Sequence, residues 1–314
     1  MEYRHRAVLA DEAIEGLAVK PSGIYVDGTL GGGGHGALIC GRLGKEGVLV
    51  GIDRDADAIK AGSEALGGAM CRTIFIQANF GDIEGILRQQ GIQGIDGAIL
   101  DLGVSSWQLD NPERGFSYMA DGPLDVRMDG RPGGLTAYEV VNTYPQADLA
   151  RIIRQYGEER WAERISRSIV RERGRGPIET TSALSAAIKE AIPAAARREG
   201  PHPAKRAFQA IRIEVNDELG ELERAIDGFI GALVPGGRLA VITFHSLEDR
   251  IVKQGFREKE NPCICPPGLP ECACGRKPEI RRVNSKPITA GASERAANPR
   301  SRSAKLRIAE KIGA

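Results

Sequence analysis

The chain has little of what membrane-spanning, secreted and disulfide-rich proteins depend on. No apolar run approaches the roughly 20 residues that a bilayer-spanning helix needs. Residues 1–6 have no signal-peptide core, and four of the six cysteines are clustered late in the chain rather than spread through it. We therefore expect a cytoplasmic protein with reduced thiols and no membrane partner.

Net charge is also nearly absent, at +1, but the charges are unevenly distributed. Residues 151–212 contain 14 Lys or Arg against 7 Glu, and residues 275–314 contain 11 against 3. Either block alone is typical of a solvated polar face. Two such blocks on an otherwise acidic chain favour a phosphate-rich partner, because phosphate contacts supply most sequence-independent affinity for nucleic acids.

A glycine-rich stretch spans residues 26–35, with four consecutive glycines before His35. The residues before it predict a buried strand, and those after it predict a helix. Glycines admit a ligand close to the backbone, and N–H groups at a helix start favour polar or anionic atoms. A flexible surface turn has the same composition. Asp53, which ends a second apolar strand about 20 residues later, favours a site that holds the ribose hydroxyls of a nucleoside-type cofactor.

Strands and helices alternate through the first hundred residues. Strands are predicted at 24–26, 48–52, 73–78 and 96–100. This alternation predicts an α/β fold with a mostly parallel sheet, whose ligands bind beyond the carboxyl ends of the strands. The glycine loop, Asp53, Phe80 and Asp101 all fall at such ends.

The alternation is interrupted by a segment rich in Pro, Gly and Asp, followed by several helices and one long helix predicted at 205–233. A strand at 238–244 and a helix from His245 resume the pattern. We therefore predict a discontinuous Rossmann-like domain of residues 1–108 and 207–314. Residues 109–206 are predicted to form an inserted all-helical substrate-recognition domain.

Asp101 closes the strand that faces the glycine loop. A carboxylate there suits a substrate that donates a hydrogen bond, such as the exocyclic amine of cytosine, whose lone pair is conjugated into the ring. A carboxylate that accepts this N–H localises the lone pair and then eases removal of the proton. The alternative is that Asp101 only caps the following turn. His35 is interpreted as shaping the loop or contacting the cofactor rather than as a base.

Other groups leave two interpretations open. The aromatic residues Trp107, Phe116 and Phe244 suit either base stacking or core packing. The charged residues Asp125, Arg127 and Asp129 form either a polar cluster or a solvated loop. The pairs Cys263-Ile-Cys265 and Cys272-Ala-Cys274 suit either zinc or a loop of free thiols, since their spacing differs from C-x₂-C knuckles. No metal is assigned to catalysis.

Six motifs together resemble one known family. They are Tyr25-Val-Asp-Gly-Thr-Leu-Gly-Gly-Gly-Gly-His35, Asp101-Leu-Gly-Val-Ser-Ser106, Pro123-Leu-Asp-Val-Arg-Met128, Phe208-Gln-Ala-Ile-Arg-Ile-Glu-Val-Asn216, Thr243-Phe-His-Ser-Leu-Glu-Asp-Arg250 and Asn298-Pro-Arg-Ser-Arg-Ser-Ala-Lys-Leu-Arg307. In order and spread over nearly the whole chain, they resemble the bacterial 16S ribosomal RNA cytosine-N4 methyltransferases, the RsmH (MraW) family.

The resemblance implies a class I S-adenosylmethionine-dependent methyltransferase fold with an inserted helical domain. It implies a decoding-region cytosine of 16S rRNA, within the small ribosomal subunit, as substrate. Around the cofactor it places seven residues: Gly33, Gly34, His35, Asp53, Phe80, Asp101 and Gln108. Gln108 comes from the resemblance alone, whereas most of the others also follow from their positions at strand ends.

Three alternative functions share parts of this pattern. A nicotinamide-dependent oxidoreductase has the same glycine loop and strand-end acid, but no use for the Asp101 motif. A non-enzymatic RNA-binding assembly factor would not need the intact set of Gly31–His35, Asp53 and Asp101. A DNA amino-methyltransferase carries a D/N/S-P-P-Y motif, whereas Asp101 is followed by Leu-Gly-Val.

Overall fold

The computed structural model describes residues 7–130, 133–198, 202–266 and 273–313. The chain divides into two compact units, one formed by Met1–Gly103 with Leu219–Ala314 and the other by Val104–Glu218. The divisions therefore fall a few residues before the predicted boundary at 108/109 and twelve residues after the one at 206/207. The second difference arises because the helix that begins at Lys205 packs on helices of the second unit.

Eight strands and thirteen α-helices lie in the described residues. The strands are β1 (Ile24–Asp27), β2 (Val48–Asp53), β3 (Arg72–Gln77), β4 (Ile95–Asp101), β5 (Leu233–Thr243), β6 (Ile280–Arg282), β7 (Ile288–Thr289) and β8 (Lys305–Lys311). The helices are α1 (Ala10–Leu17), α2 (Gly34–Cys40), α3 (Ala56–Ala65), α4 (Ile83–Gln89), α5 (Ser106–Asp110), α6 (Ala137–Thr143), α7 (Gln146–Gln155), α8 (Ala162–Arg173), α9 (Thr181–Ala191), α10 (Lys205–Asn216), α11 (Glu218–Ala232), α12 (Ser246–Glu260) and α13 (Ala292–Ala297).

All eight strands form one sheet in the first unit, called here the sheet unit. Its order is β3-β2-β1-β4-β5-β8-β6, with β7 also paired to β8. The pairs among β1 to β5 are parallel, and those made by β8 are antiparallel. This arrangement confirms the predicted α/β fold with a mostly parallel sheet.

Alternate residues of the central strands enter two separate hydrophobic layers. Val26 and Leu100 pack with residues of α4, α11 and α12 on one face. Tyr25 and Ile99 pack with residues of α1 and α2 on the other face. Helices cover both faces, which is why the parallel strands read as continuous apolar runs rather than as alternating ones.

The second unit, called here the helical unit, contains α5 to α10 and one isolated bridge between Pro123 and Thr180. Its core is separate from the two layers of the sheet unit and consists mainly of aliphatic side chains from α6 to α10. Two of its helices begin with a capping box, formed by Ser105 with Gln108 and by Thr136 with Glu139. Such caps satisfy the N–H groups that a helix start leaves without partners.

The single long helix predicted at 205–233 is wrong. α10 ends at Asn216, and Asp217 adopts a left-handed conformation with φ 48° before α11 begins. The buried Asn216 side chain accepts a hydrogen bond from the Met128 N–H and donates one to the Val126 carbonyl. The apolar periodicity continues across this break, so the hydrophobic pattern gave no signal of it.

None of the helices in the described residues is long and apolar enough to cross a membrane.

Candidate cofactor and active site

Three neighbouring parallel strands end in aspartates. β1 ends in Asp27 and lies between β2, which ends in Asp53, and β4, which ends in Asp101. The register pairs Asp27 with Gly51 of β2 and with Ile99 of β4, so Asp53 and Asp101 each lie two residues further along their strands. Asp27 therefore lies at the floor of a notch with Asp53 and Asp101 on its two sides. The strand order changes direction at this point, where open α/β sheets bind ligands.

The glycine loop, residues 28–34, is hydrogen-bonded to both sides of the notch. The Gly31 N–H donates to Asp53 Oδ2 at 2.9 Å. On the other side, the Asp101 N–H donates to the Thr29 hydroxyl oxygen at 2.6 Å. The loop is thus held in one conformation by β2 and β4, which argues against a flexible surface turn.

Two glycines of this loop need their freedom of backbone conformation. Gly31 has φ 50° and Gly33 has φ 79°, in the left-handed region that other residues rarely adopt. A Cβ atom on Gly31 would have no neighbour nearer than the Thr29 carbonyl at 3.9 Å, so the space beside this backbone is open. Gly34 then begins α2, whose second residue is His35. The loop therefore presents bare backbone next to Asp53.

All three strand-end carboxyls have raised pKa values. Burial raises the pKa of Asp53 to about 6 and that of Asp27 to about 7. Burial, and then the negative charges of Asp27 and Glu248, raise the pKa of Asp101 well above its ordinary value. Within the described part of the chain, no Lys or Arg forms an ion pair with any of the three. Buried carboxyls of this kind are common at functional sites, because they stabilise a cationic or proton-donating ligand.

His35 and Asp101 face each other. The His35 ring is 5% exposed, and its Nε2 lies 3.0 Å from the Val8 carbonyl oxygen. Because a carbonyl only accepts, Nε2 carries a proton, and Nδ1 then lies 3.6 Å from Asp101 Oδ2. The other carboxyl oxygen, Oδ1, is buried and makes no hydrogen bond within the described residues. Neither oxygen accepts a hydrogen bond from the following turn within the described residues, which disfavours the interpretation of Asp101 as a cap alone.

Six of the seven predicted cofactor residues lie in the sheet unit, around this notch and its loop. Phe80 follows β3, and its Cβ lies 3.4 Å from where a Cβ on Gly28 would stand, which places this residue beside the loop. Gln108 belongs to the helical unit, where it is buried and its side-chain oxygen accepts the Ser105 N–H at 3.1 Å. The role of Gln108 toward the cofactor stays a prediction.

Sequence reasoning missed two buried acids of the sheet unit. Asp27 is 1% exposed and ends β1, so the strand-end rule that selected Asp53 and Asp101 selects it too. Glu248 is 2% exposed, and its Oε2 accepts the Phe244 N–H at 2.7 Å. It forms a capping box with His245 at the start of α12. The only signal in the sequence was that Glu248 lies three residues after His245, the spacing of a capping box.

The remaining aromatic and charged candidates lie in different surroundings, which indicate a structural role for some and leave the role of others undecided. Phe116 is buried in the core of the helical unit. Trp107 is partly buried in the same unit, and Phe244 is partly buried in the sheet unit. Asp125 and Arg127 form a two-pronged ion pair with distances of 2.7 and 2.8 Å. That pair is local to its loop and is a structural feature.

Both basic blocks are partly neutralised by ion pairs. In the C-terminal block, five of the eleven cations pair with acids of the same unit: Arg281, Arg282, Lys305, Arg307 and Lys311. In residues 151–212, six of the fourteen cations pair with acids of the helical unit: Arg151, Arg154, Arg171, Arg175, Arg206 and Arg212. In the helical unit, Arg160, Arg164 and Arg167 are exposed and form no ion pair within the described residues. The guanidinium groups of Arg160 and Arg164 lie 5.1 and 5.4 Å from the Trp161 ring centre. These three arginines and Trp161 are called here the arginine patch.

The chain is similar over its full length to curated bacterial proteins named "Ribosomal RNA small subunit methyltransferase H". A protein from Geobacter sp. (strain M21) is 55% identical over 311 residues, covering 99% of each chain. One from Symbiobacterium thermophilum is 53% identical over 314 residues, covering 100% of this chain and 98% of the relative. One from Ruminiclostridium cellulolyticum is 52% identical, covering 99% of this chain and all of the relative.

The model of the MraW methylase family matches residues 2–312. This match covers both stretches of the sheet unit and the whole helical unit, and it excludes a nicotinamide-dependent oxidoreductase. It also agrees with a notch in which the bare backbone of the glycine loop lies next to the strand-end acid Asp53. The chain belongs to the MraW methylase family and is an S-adenosylmethionine-dependent methyltransferase with a Rossmann-like fold.

Proposed function

We propose that this protein transfers a methyl group from S-adenosylmethionine to the exocyclic N4 amine of a decoding-region cytosine in 16S rRNA of the small ribosomal subunit. The proposal places the protein in the cytoplasm, where that substrate is. The ribosomal RNA part rests on relatives at 50–55% identity that carry this name. The amine is argued from the chemistry of Asp101.

The cofactor roles follow from the notch. Asp53 is the ribose-binding acid, because Asp53 Oδ2 holds the Gly31 N–H while each carboxyl oxygen has a second lone pair for a hydroxyl. Phe80 packs on the adenine from the neighbouring strand end. Gly33, Gly34 and His35 line the methionine end, and Gln108 completes the set. When bound, the cofactor supplies an electrophilic methyl group on a positively charged sulfur.

One observation carries the assignment of the reacting group. Asp101 Oδ1 is buried beside the glycine loop and makes no hydrogen bond within the described residues. A buried acceptor without a partner costs free energy, and an N–H donor from a bound substrate relieves that cost. A cytosine amine supplies such a donor and is aligned by it for in-line attack. The N4–methyl bond would form as the sulfur–methyl bond breaks and leaves its electron pair on sulfur, and one N4 proton would pass to the Asp101 carboxylate, so that the nitrogen ends neutral.

The target base must leave its stack to reach such a site, as bases do for other enzymes that modify them. We assign RNA binding to the arginine patch, since exposed guanidinium groups bind phosphates and stack on bases. The C-terminal block contributes less than its charge suggests, because five of its eleven cations already have carboxylate partners in the sheet unit.

The test is transfer of labelled methyl to small ribosomal subunits that lack the modification. The labelled nucleoside is then identified by mass spectrometry. We expect label in N4-methylcytidine with the wild-type protein and none with Asp101→Ala. Asp96→Asn is the matched control, because Asp96 lies near the start of the same strand and binds Lys20 there.

Label in another nucleoside would overturn the proposed substrate. No transfer to subunits or to free rRNA by a protein that binds the cofactor would do the same. An Asp101→Ala variant that keeps full activity would overturn the role of this carboxylate. Retained RNA binding with lost transfer in the same variant would exclude a purely non-enzymatic assembly factor. Transfer to DNA but not to RNA would favour the amino-methyltransferase alternative.

A further inference from the structure

A cluster of thiols lies far along the chain from the strand-end acids, in the segment between α12 and β6. The cluster consists of Cys263, Cys265 and Cys274, whose sulfur atoms all lie within 4.8 Å of one another. The Cys263 and Cys274 sulfurs are 3.9 Å apart. Cys272, the fourth cysteine of this sequence pattern, lies outside the described residues.

The sulfur spacing fits a shared metal ion better than a covalent bond. A disulfide brings two sulfurs to about 2 Å, and it can join only two of the three thiols. Thiolates bound to zinc lie about 2.3 Å from the ion in a tetrahedral arrangement, which sets the sulfurs roughly 3.8 Å apart. The observed 3.9 Å between Cys263 and Cys274 is close to that edge length.

A backbone hydrogen bond supports a thiolate in this cluster. The Ala273 N–H donates to Cys265 Sγ at 3.3 Å. Ligands of metal ions are oriented by such second contacts, and an N–H donor stabilises negative charge on sulfur. Gly275, with φ 65°, lets the chain turn away directly after Cys274. The sulfur atoms of Cys263 and Cys265, in the first described part of the segment, therefore lie close to the sulfur of Cys274, in the second.

Within its described residues, the segment also has no buried apolar side chain that would hold it. Ile264, the large apolar residue between the first two cysteines, is 66% exposed. The next residues after the cluster, Arg276 and Lys277, are exposed cations. They suit an anionic metal–thiolate group, because three thiolates around one divalent ion leave a net charge of −1. A cross-link through a metal ion replaces the missing core.

We propose that Cys263, Cys265 and Cys274 bind a structural Zn²⁺ ion that fixes the segment between α12 and β6. Each thiol loses its proton to solvent as its sulfur–zinc bond forms, so three protons are released and nothing is oxidised or reduced. The ion takes no part in methyl transfer. This site does not depend on the proposed function, and its test does not involve activity.

The experiment measures metal content in the full-length protein, purified without a metal-binding tag under reducing conditions. After loading with zinc and dialysis against a mild chelator, we expect about one zinc ion per wild-type chain and none in the Cys263→Ser/Cys274→Ser double variant. Ile264→Ser is the matched control, because it alters the same exposed loop without touching a sulfur atom, and it should keep the ion.

Cobalt substitution gives a second readout that a folding defect would not imitate. Wild type and Ile264→Ser loaded with Co²⁺ should show a sulfur-to-cobalt charge-transfer band and intense visible bands of tetrahedral coordination. Circular dichroism verifies that the double variant is folded. Equal zinc content in the double variant and wild type, or no retained zinc in wild type, would overturn the proposal. So would a disulfide between any two of the three cysteines in the reduced preparation.

Discussion

The acidic side chains of the two units differ in their partners. In the described residues of the sheet unit, Asp27, Asp53 and Asp101 form no ion pair with Lys or Arg, and burial raises the pKa of each. In the helical unit, Asp125 hydrogen-bonds the Arg127 guanidinium, which lowers the pKa of Asp125 below its ordinary value. The ion pair of Asp125 and Arg127 is explained by folding alone. The three strand-end acids of the sheet unit lower stability, and that cost is understandable if a ligand later supplies their missing partner.

The cations offer a second comparison. In both basic blocks some of the cations form ion pairs within the described residues, five of eleven in the C-terminal block and six of fourteen in residues 151–212. Within the described residues, the helical unit leaves Arg160, Arg164 and Arg167 exposed without carboxylate partners. We infer that the strand-end acids without a cation mark the small-molecule end of the reaction, and that these three arginines mark the nucleic-acid end. The following predictions test this contrast.

The largest effect is expected for Asp53→Ala. Loss of a carboxylate that binds ribose hydroxyls removes charged hydrogen bonds of about 1.5–3 kcal/mol each, so cofactor affinity should fall about 100-fold. Isothermal titration with S-adenosylhomocysteine measures it. Asp57→Ala, an exposed acid in the first turn of α3, is the control and should bind normally. Normal affinity in Asp53→Ala would remove the ribose role.

Asp27→Asn tests the cost of an unpaired acid. Because the folded-state pKa of about 7 lies above the ordinary 3.8, the contribution of Asp27 to stability is most favourable below pH 3.8 and is lost as pH rises toward 7. A neutral Asn avoids this loss. We expect a stabilisation of about 2 kcal/mol at pH 8, half of what the pKa shift implies, because the new amide N–H lacks a partner.

Urea unfolding of Asp27→Asn and wild type between pH 4 and pH 8 measures this difference. The gap between the two proteins should widen as pH rises. A gap that stays constant or narrows would show that Asp27 is not the buried acid described here.

Replacing the three arginines of the arginine patch with Ala should weaken binding of small-subunit rRNA about tenfold at moderate salt. The slope of log affinity against log salt should also become shallower by about two to three, because each lost phosphate contact removes roughly one released counterion. Cofactor affinity should not change. An unchanged salt slope would show that the patch does not contact phosphates.

The smallest effect is expected for Asp125→Ala. Its partly exposed ion pair with Arg127 is worth about 1 kcal/mol, and cofactor affinity should be normal. The pH dependence is opposite to that of Asp27. Because the folded-state pKa of Asp125 is lowered, its contribution is present above the unfolded pKa and is lost as pH falls through the folded value. Thermal unfolding at pH 7 and pH 3 should show a larger difference from wild type at pH 7 than at pH 3.

The sequence allowed most of the sheet unit to be predicted, because parallel strands covered on both faces give long apolar runs with polar residues at their ends. Asp53 and Asp101 were found by that rule, and Asp27 obeys it too. The helix break at Asp217 was not predictable, since it depends on the distant Val126 and Met128 backbone groups that hold Asn216. The ion pairs of the C-terminal block were not predictable for the same reason: the acids that pair with its cations, such as Asp249 with Arg307, are distant in sequence.

The central claim is that a buried carboxyl at the end of β4 receives the substrate amine, and a single-turnover pH profile of methyl transfer tests it most directly. Wild type should gain activity as pH rises through the raised pKa of Asp101, since the carboxylate is the active form. Asp101→Asn should lose this rise and be slower by about 100-fold or more, the usual size of a general-base effect, whereas Asp96→Asn should behave as wild type. An Asp101→Asn variant with the wild-type rate and profile would contradict the account.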